Sequence, residues 1–252
     1  MIVNSVTPKR RPIGDWAMGE IETLVFDVLG TVVDETASVV LEVGAAMTEA
    51  GLDPRGGAGL ALEWSRRLDL LIGQVIAGEE PWRSNDALRA VALDDALHAM
   101  QVHGLSQATI GDLALVGHRL KPWPDAALAL DDLRDSFTVV ALSNAGLAEL
   151  VGMFGEGRLA WHGVLSAELI KTYKPDPAVY RLALDTLGGE ARRTLMVAAH
   201  PWDLRAAAGQ GMRTAFVSRP GEGVPAPNDR FDLYAESLGD LAEQLASGGS
   251  QY

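Results

Sequence analysis

Residues 24–31 read Leu-Val-Phe-Asp-Val-Leu-Gly-Thr, an apolar run that delivers one carboxylate, Asp27, into a Gly-Thr turn. A carboxylate at the carboxyl end of a strand is a candidate nucleophile, because open α/β sheets bind their ligands at that edge. An aspartate before glycine also serves as a turn residue that caps backbone amides, and this octapeptide alone leaves both readings open. Three later segments bear on the choice. Ser143-Asn144 follows the strand-like Val-Val-Ala-Leu and precedes a helix. Lys174 stands in Tyr-Lys-Pro-Asp-Pro, ahead of another helix. Asp203 ends Ala-Ala-His-Pro-Trp-Asp, after the apolar Leu-Met-Val. Each polar group leaves the same edge of the predicted sheet.

The elements that would position these groups alternate strand and helix, which implies a mainly parallel sheet covered on both faces. Strands are predicted over 22–28, 137–142, 194–198 and 213–217, with a short one over 231–234. Helices are predicted over 125–133, 145–153, 177–187 and 203–210, and Ser237 reads as the N-cap of a last helix over 238–245. Residues 36–120 contain no convincing strand. They show helical spacing over 38–50, 60–76, 84–100 and 107–119, and read as a helical insert after the first strand. Pro122-Trp123-Pro124 marks the return, where helix is disfavoured. The organisation expected is an extension over 1–20, a core over 21–35 and 121–252, and the insert over 36–120. Residues 221–228, rich in Gly and Pro, read as a surface loop and 248–252 as a frayed tail.

Composition narrows the function classes. The chain has 252 residues, of which 48% are hydrophobic, so a sizeable core is available. Its formal net charge of −13 argues against nucleic acid or an anionic membrane surface as partner. A single basic pocket for a small anion is still compatible with that charge. Cysteine is absent, which removes disulfides, thiolate metal sites and a Cys nucleophile. No apolar stretch reaches the roughly 18 residues of a spanning helix, and the segment after Lys9, Arg10 and Arg11 lacks a signal-peptide apolar region. A cytoplasmic protein is expected. His98, His103 and His118 fall in the insert with no metal-ligand spacing.

The order and spacing of the Asp27, Ser143, Lys174 and Asp203 segments resemble the four motifs of the haloacid dehalogenase superfamily of hydrolases, over about residues 21–245. The insert matches the cap domain that this family places after its first motif. The resemblance implies a Rossmann-like parallel sheet with a helical cap. Within the superfamily, phosphatases carry a second Asp two residues after the nucleophile, where Leu29 stands. They also carry an acidic Mg²⁺ ligand in the fourth motif, where Ala199 stands. Phosphoryl transfer needs cationic clamping and a hard dication needs oxygen ligands, so neither metal nor phosphatase chemistry is expected. The 2-haloacid dehalogenase branch lacks the same two acids, because a halide leaves without a general acid. Its fourth motif resembles Ser-Ser-Asn-x-Trp-Asp; Trp202 and Asp203 fit it, and Ala198 and His200 depart from it.

That branch implies a mechanism. Asp27 displaces halide from the substrate carbon with inversion and forms an ester; water then attacks the ester carbonyl. Lys174 keeps Asp27 ionised, and Asp203 orients Lys174 or the water. Ser143 and Asn144, with free amides at the following helix N-terminus, hold the substrate carboxylate. Thr31 holds Asp27, and Trp202 walls the pocket. Leu29 and His200 complete the expected substrate-binding set, His200 as a hydrogen-bonding group, a general base or a packing residue. No cofactor is implied; the partner is a small carboxylate-bearing substrate, and the family suggests a homodimer through the insert.

Plainer roles stay open beside these. Lys174 could be a surface residue, Ser143-Asn144 and Asp203 helix caps, Trp202 core. The chain also departs from the dehalogenases. They commonly have a Tyr where Leu29 stands, and an Arg after a cap-helix Trp that cradles the departing halide. Here Ser65 follows Trp64, and Arg66 lies about 100° further around the helix. The alternatives to a dehalogenase are a non-dehalogenating member that binds a small carboxylate or a protein partner, and a phosphatase on an unknown phosphoester.

Overall fold

A computed structural model describes residues 20–248; the expected extension before residue 20 and the tail after 248 lie outside them. The chain opens with β1 (Thr23–Phe26) and leaves the sheet through a two-residue strand, β2 (Val33–Asp34). Four helices follow: α1 (Glu35–Glu49), α2 (Gly57–Ile76), α3 (Asn85–Ala99) and α4 (Gln107–Ala114). β3 (Lys121–Pro122) returns antiparallel to β2, so the helical excursion hangs from a two-stranded neck. The remainder alternates: α5 (Ala126–Arg134), β4 (Thr138–Ser143), α6 (Leu147–Gly157), β5 (Gly163–Ser166), α7 (Pro177–Leu187), β6 (Thr194–Ala198), α8 (Pro201–Ala208), β7 (Arg213–Val217), β8 (Leu233–Ala235) and α9 (Leu238–Gly248).

The main sheet has strand order β5-β4-β1-β6-β7-β8 and every pairing in it is parallel. From β1 the chain builds outward through β4 and β5, then jumps back across β1 to build β6, β7 and β8. β1 therefore lies at the point where the strand order reverses, and a crevice opens there at the carboxyl ends. The pleat sorts the core. Leu24 and Phe26 of β1, with Leu195 and Val197 of β6, join the larger apolar cluster with the insert, α5, α6 and α9. Val25, Met196 and Ala198 face the opposite cluster, under α7 and α8. Alternation carried one step past Val25 sends Asp27 toward α7 and α8.

The differences from the expected elements have local causes. β5 carries too short an alternation to show in the sequence and exists by pairing with β4. β8 starts at Leu233, because Asp232 is used by its side chain, which accepts from the Thr214 N–H and hydroxyl at 2.9 and 3.0 Å. The helix expected over 107–119 ends at Ala114 and continues as a 3₁₀ turn, Val116–Arg119. That turn is pressed on Glu149 of α6; a Cβ at Gly117 would fall 2.1 Å from Glu149 Oε1. α8 starts at Pro201, with Asp203 inside its first turn, as proline at a helix's first position allows. Ser237 accepts from the Asp240 N–H at 3.0 Å, the cap contact expected of it.

The insert is tied to the sheet domain by polar contacts. Arg89 of α3 is buried between Glu35 and Glu149, Asn85 donates to both oxygens of Glu149, and the Tyr173 hydroxyl donates to the Arg83 carbonyl at 2.6 Å. Among the described residues, no helix is long and apolar enough to cross a membrane.

Candidate active site

Asp27 follows the last residue of β1, and its N–H still donates to the Val197 carbonyl at 2.9 Å, so the ladder fixes its backbone. Gly30 makes the turn with φ +74°, a conformation that favours glycine. The turn is held from behind: Trp123 Nε1 donates to the Gly30 carbonyl at 3.0 Å and Arg219 Nε to the Thr31 carbonyl at 2.9 Å. Arg219 is itself paired with Asp125 and lies over the Trp123 ring. This brace brings Thr31 back over Asp27. The Thr31 hydroxyl donates to Asp27 Oδ2 at 2.7 Å and accepts from the Ala199 N–H at 2.8 Å.

Lys174 and Asp203 meet Asp27 in the same buried place. Lys174 Nζ donates to Asp27 Oδ1 at 2.9 Å and to Asp203 Oδ2 at 2.8 Å. Asp27, Lys174 and Asp203 are 5%, 2% and 0% exposed, which removes the surface-residue reading of the lysine. Asp203 Oδ1 accepts from the Tyr180 hydroxyl at 2.5 Å, so both of its oxygens are engaged. Of the two roles expected of Asp203, the contacts show the holding of Lys174.

His200 ends the loop after β6 and is the N-cap residue of α8. Its Nδ1 lies 2.9 Å from Asp27 Oδ2 and its Nε2 lies 3.1 Å from Glu222 Oε2. Two carboxylates are both acceptors, so the ring that joins them carries protons on both nitrogens. A charged ring makes no general base, and two such contacts set aside simple packing. Trp202 is 40% exposed and its ring lies 5.5 Å from that of His200. It is not core; its ring flanks that of His200.

The electrostatics follow from these contacts. Burial would push the Asp27 carboxyl up, but Lys174 and His200 outweigh it and hold the group well below the usual carboxylate range. Burial opposes the charge on Lys174, and Asp203 and Asp27 overcome it, so the ammonium is held above its ordinary value. Burial pushes the Asp203 carboxyl up against the charge of Lys174, and Asp27 adds to the rise. Burial disfavours charge on His200 as well, yet Asp27 and Glu222 push it up to about 10.

Ser143 ends β4 and Asn144 follows it, and the side chains of both are engaged by the loop and by Lys174. Asn144 Oδ1 accepts from the Lys174 N–H at 2.7 Å and its Nδ2 donates to the Lys174 carbonyl at 3.4 Å. Ser143 is wholly buried and accepts from the Ala145 N–H at 3.1 Å. Two amides at the start of α6 are occupied: Gly146 N–H donates to Glu149 at 2.5 Å and Leu147 N–H to Glu168 at 2.9 Å. The N-cap of α6 is Gly146, so Ser143 and Asn144 are not its caps either. Leu29 is half-buried beside the turn and packs on the larger apolar cluster.

Both arginines after Trp64 are paired within the insert. Arg66 pairs with Glu63 at 2.8 Å and Arg67 with Glu63 at 2.7 Å, on the insert itself. Ser65 is exposed. Sequence reasoning also missed Glu222, Tyr180 and Arg219. Tyr180 looks like core on an amphipathic helix. Glu222 lies in a Gly- and Pro-rich loop without periodicity; its one signal is that the loop follows a strand at the edge where Asp27 sits.

A parallel α/β sheet with a buried Asp-Lys-Asp centre at its switch point, and helices inserted after its first strand, defines a hydrolase fold with a carboxylate at its reacting edge. Residues 21–211 match the haloacid dehalogenase-like hydrolase family, and the chain belongs to it. It is 31% identical to (S)-2-haloacid dehalogenase 1 of Pseudomonas sp. (strain CBS-3), over 80% of this chain and 86% of that one. It is 30% identical to (S)-2-haloacid dehalogenase 4A of Burkholderia cepacia, over 88% and 93% of the two chains. Among solved structures, the L-2-haloacid dehalogenase PA0810 superposes with TM-score 0.83 at 31% identity, covering 90% of this chain and 99% of that one. A defluorinating L-2-haloacid dehalogenase gives TM-score 0.82 at 28% identity, covering 90% and 95%.

Proposed function

We propose that this chain hydrolyses small 2-haloalkanoic acids through an ester on Asp27, without a metal ion. The observation that carries this reading is the buried Lys174 ammonium, shared between Asp27 and Asp203 at 2.9 and 2.8 Å. A carboxylate attacks carbon only when it is ionised and poorly hydrated. Burial strips the water from Asp27, and Lys174 and His200 keep it ionised. Displacement of halide then needs no proton donor, and the residue two places on, Leu29, offers none. The relatives that carry the name 2-haloacid dehalogenase support the substrate class, a small acid bearing halogen beside its carboxylate.

A hard dication does not suit these residues. Asp27 Oδ1 faces an ammonium and Oδ2 a charged imidazole. Leu29 and Ala199 bring no oxygen from their side chains, and the Ala199 N–H is spent on Thr31. The same residues weaken the phosphatase alternative, which needs an acid at both places.

The test is halide release from 2-chloropropionate and 2-bromopropionate in metal-free buffer, followed by a single turnover in H₂¹⁸O. Halide release with ¹⁸O appearing in Asp27 is the expected result. Label in the hydroxy acid alone would mean direct attack of water on the substrate carbon and would defeat the ester. Mg²⁺-dependent release of phosphate from phosphate esters, with no halide from the haloacids, would favour the phosphatase.

A further inference from the structure

Two core loops set where Lys174 begins. One is its own loop, in which Tyr173 precedes it. The other follows β4, where Asn144 accepts from the Lys174 N–H at 2.7 Å. Both loops are fastened to one corner of the insert, residues 83–85 at the start of α3. The Tyr173 hydroxyl donates to the Arg83 carbonyl at 2.6 Å. Asn85 Nδ2 donates to Glu149 Oε1 and Oε2 at 2.9 and 3.1 Å. Glu149 in turn accepts from the N–H of Gly146, which lies just beyond Asn144 and Ala145, at 2.5 Å. The stretch between is stiff: Ala145 donates its N–H to Ser143 Oγ at 3.1 Å, and its carbonyl accepts from Ser166 Oγ at 2.7 Å. The corner is also tied to the other helices of the insert. Arg89 of α3 pairs with Glu35 of α1, and its carbonyl accepts from Trp64 Nε1 of α2 at 2.9 Å.

Burial makes these contacts selective. Tyr173 and Glu149 are each 1% exposed, and Asn85 is 3% exposed. A carboxylate at that depth is stable only when donors fill its oxygens. Gly146 supplies one donor. The others come from the insert: Asn85 directly, and Arg89 Nε at 3.5 Å. Gly117, in the turn that closes the insert, leaves the room that Glu149 occupies, since a Cβ there would lie 2.1 Å from Oε1. The seat of the insert that satisfies Glu149 is also the one that brings the Arg83 carbonyl to Tyr173. We propose that Tyr173 and Glu149 are positioning residues that clasp the insert to both supports of Lys174, so that seating the insert and aiming the ammonium at Asp27 are one event.

The kinetic consequence rests on the reading of Asp27 as the nucleophile; the clasp itself does not. With the corner off its seat, Glu149 loses the insert's donors and Tyr173 loses its acceptor. The two loops then move independently, and Lys174 meets Asp27 and Asp203 for less of the time. Asp27 is less often ionised and aimed, so displacement of halide slows before any ester forms. Lys174 Nζ donates to Asp27 and Asp203 and to neither clasp residue. The clasp therefore acts through the lysine and not on the substrate, and its loss falls on kcat more than on KM.

The experiment compares the wild type, Asn85→Ala and Tyr173→Phe by backbone amide hydrogen exchange and by rapid-quench release of bromide from 2-bromopropionate. Asn85→Ala alters the insert alone. Even so, the amides of Gly146 and Lys174 in the sheet domain should exchange about 10-fold faster, while those of β6 and β7 keep their wild-type protection. Tyr173→Phe removes one hydroxyl from the other arm and should loosen the Lys174 amide in the same way. First-turnover bromide release should fall about 10-fold in each variant, the equivalent of roughly one hydrogen bond, with KM little changed. Wild-type exchange at Lys174 in both variants would overturn the proposal. So would exchange that rises equally through β6 and β7, which is the mark of lost global stability. Bromide release at the wild-type rate beside loosened loops, or a loss carried by KM with kcat intact, would overturn it as well. A wild type that releases no halide would instead overturn the proposed function, and the exchange data would still decide the clasp. If Asn85→Ala does not fold, Tyr173→Phe decides alone.

Discussion

Asn144 grips the main chain of Lys174 at both ends, accepting its N–H at 2.7 Å and donating to its carbonyl at 3.4 Å. A residue that looks like a helix cap in the sequence thus sets where the lysine begins, and its ammonium reaches two carboxylates from there. Removing the grip leaves the charges present but loosely aimed. Asn144→Ala should lower kcat roughly 10- to 100-fold, the equivalent of about 1–3 kcal/mol of lost hydrogen bonding. Its circular dichroism spectrum should stay that of the wild type. Steady-state kinetics beside a thermal melt checks this; an unchanged kcat would mean that Lys174 finds its place without Asn144.

Lys174→Met takes the central charge away and leaves Asp27 and Asp203 buried side by side. Breaking a buried pair costs about 3–5 kcal/mol, and the melt should show that loss near neutral pH. The sign of the pH effect follows from Asp27. Its folded carboxyl is held below the ordinary 3.8, chiefly by Lys174 against burial. The stability it contributes is present above that ordinary value and is lost as pH falls through the lower folded one. In Lys174→Met the folded value rises, so the remaining stability and any residual activity should fail at higher pH than in the wild type. A pH series of melts reads it directly, and an acid limb left where it was would contradict the assigned role.

How much of this was legible in the sequence depends on whether a residue's neighbours repeat. β6 and β7 stand at the predicted bounds, because buried central strands read as unbroken apolar runs. Asp27 and Asp203 were legible because each follows an apolar run and topology sends the ends of parallel strands to one edge; Lys174 was legible through the resemblance of its Tyr-Lys-Pro-Asp-Pro segment to a family motif. Glu222 was not legible. It follows Gly221 in a loop with no period, and its pairing with His200 joins residues 22 apart through the geometry of that loop. The contact of Asn144 with Lys174 was not legible, since the sequence does not say which backbone its amide will find. The occupied amide of Leu147 was illegible for a similar reason: Glu168 reaches it from beyond β5.

Gly30 offers a test of how tightly the turn and Glu222 are fitted. It sits at φ +74°, and a Cβ there would lie 2.8 Å from the Glu222 carboxyl carbon. Gly30→Ala should cost about 1–2 kcal/mol from backbone conformation and push Glu222 off His200. Gly30→Ala/Glu222→Ala should regain the part due to the clash and none of the part due to φ. A double-mutant cycle on melting free energies separates the two. Additivity in that cycle would show that Glu222 does not press on the turn.

The last expectation concerns the alkaline side. His200 is raised from 6.5 to about 10 because Asp27 and Glu222 outweigh the cost of burying its charge. A group whose folded value is raised stabilises the fold fully below its unfolded value, and the contribution fades as pH climbs through the folded one. The wild type should therefore lose stability between about pH 6.5 and about pH 10. His200→Gln cannot titrate there and should give a flatter curve over the same interval. The Lys174 ammonium is also held above its ordinary value, so its own loss falls at still higher pH and does not mimic the effect. Melts of both proteins from pH 6 to 10 settle the matter: parallel curves would mean that the ring between Asp27 and Glu222 is neutral, and that the charged donor on Oδ2 does not exist.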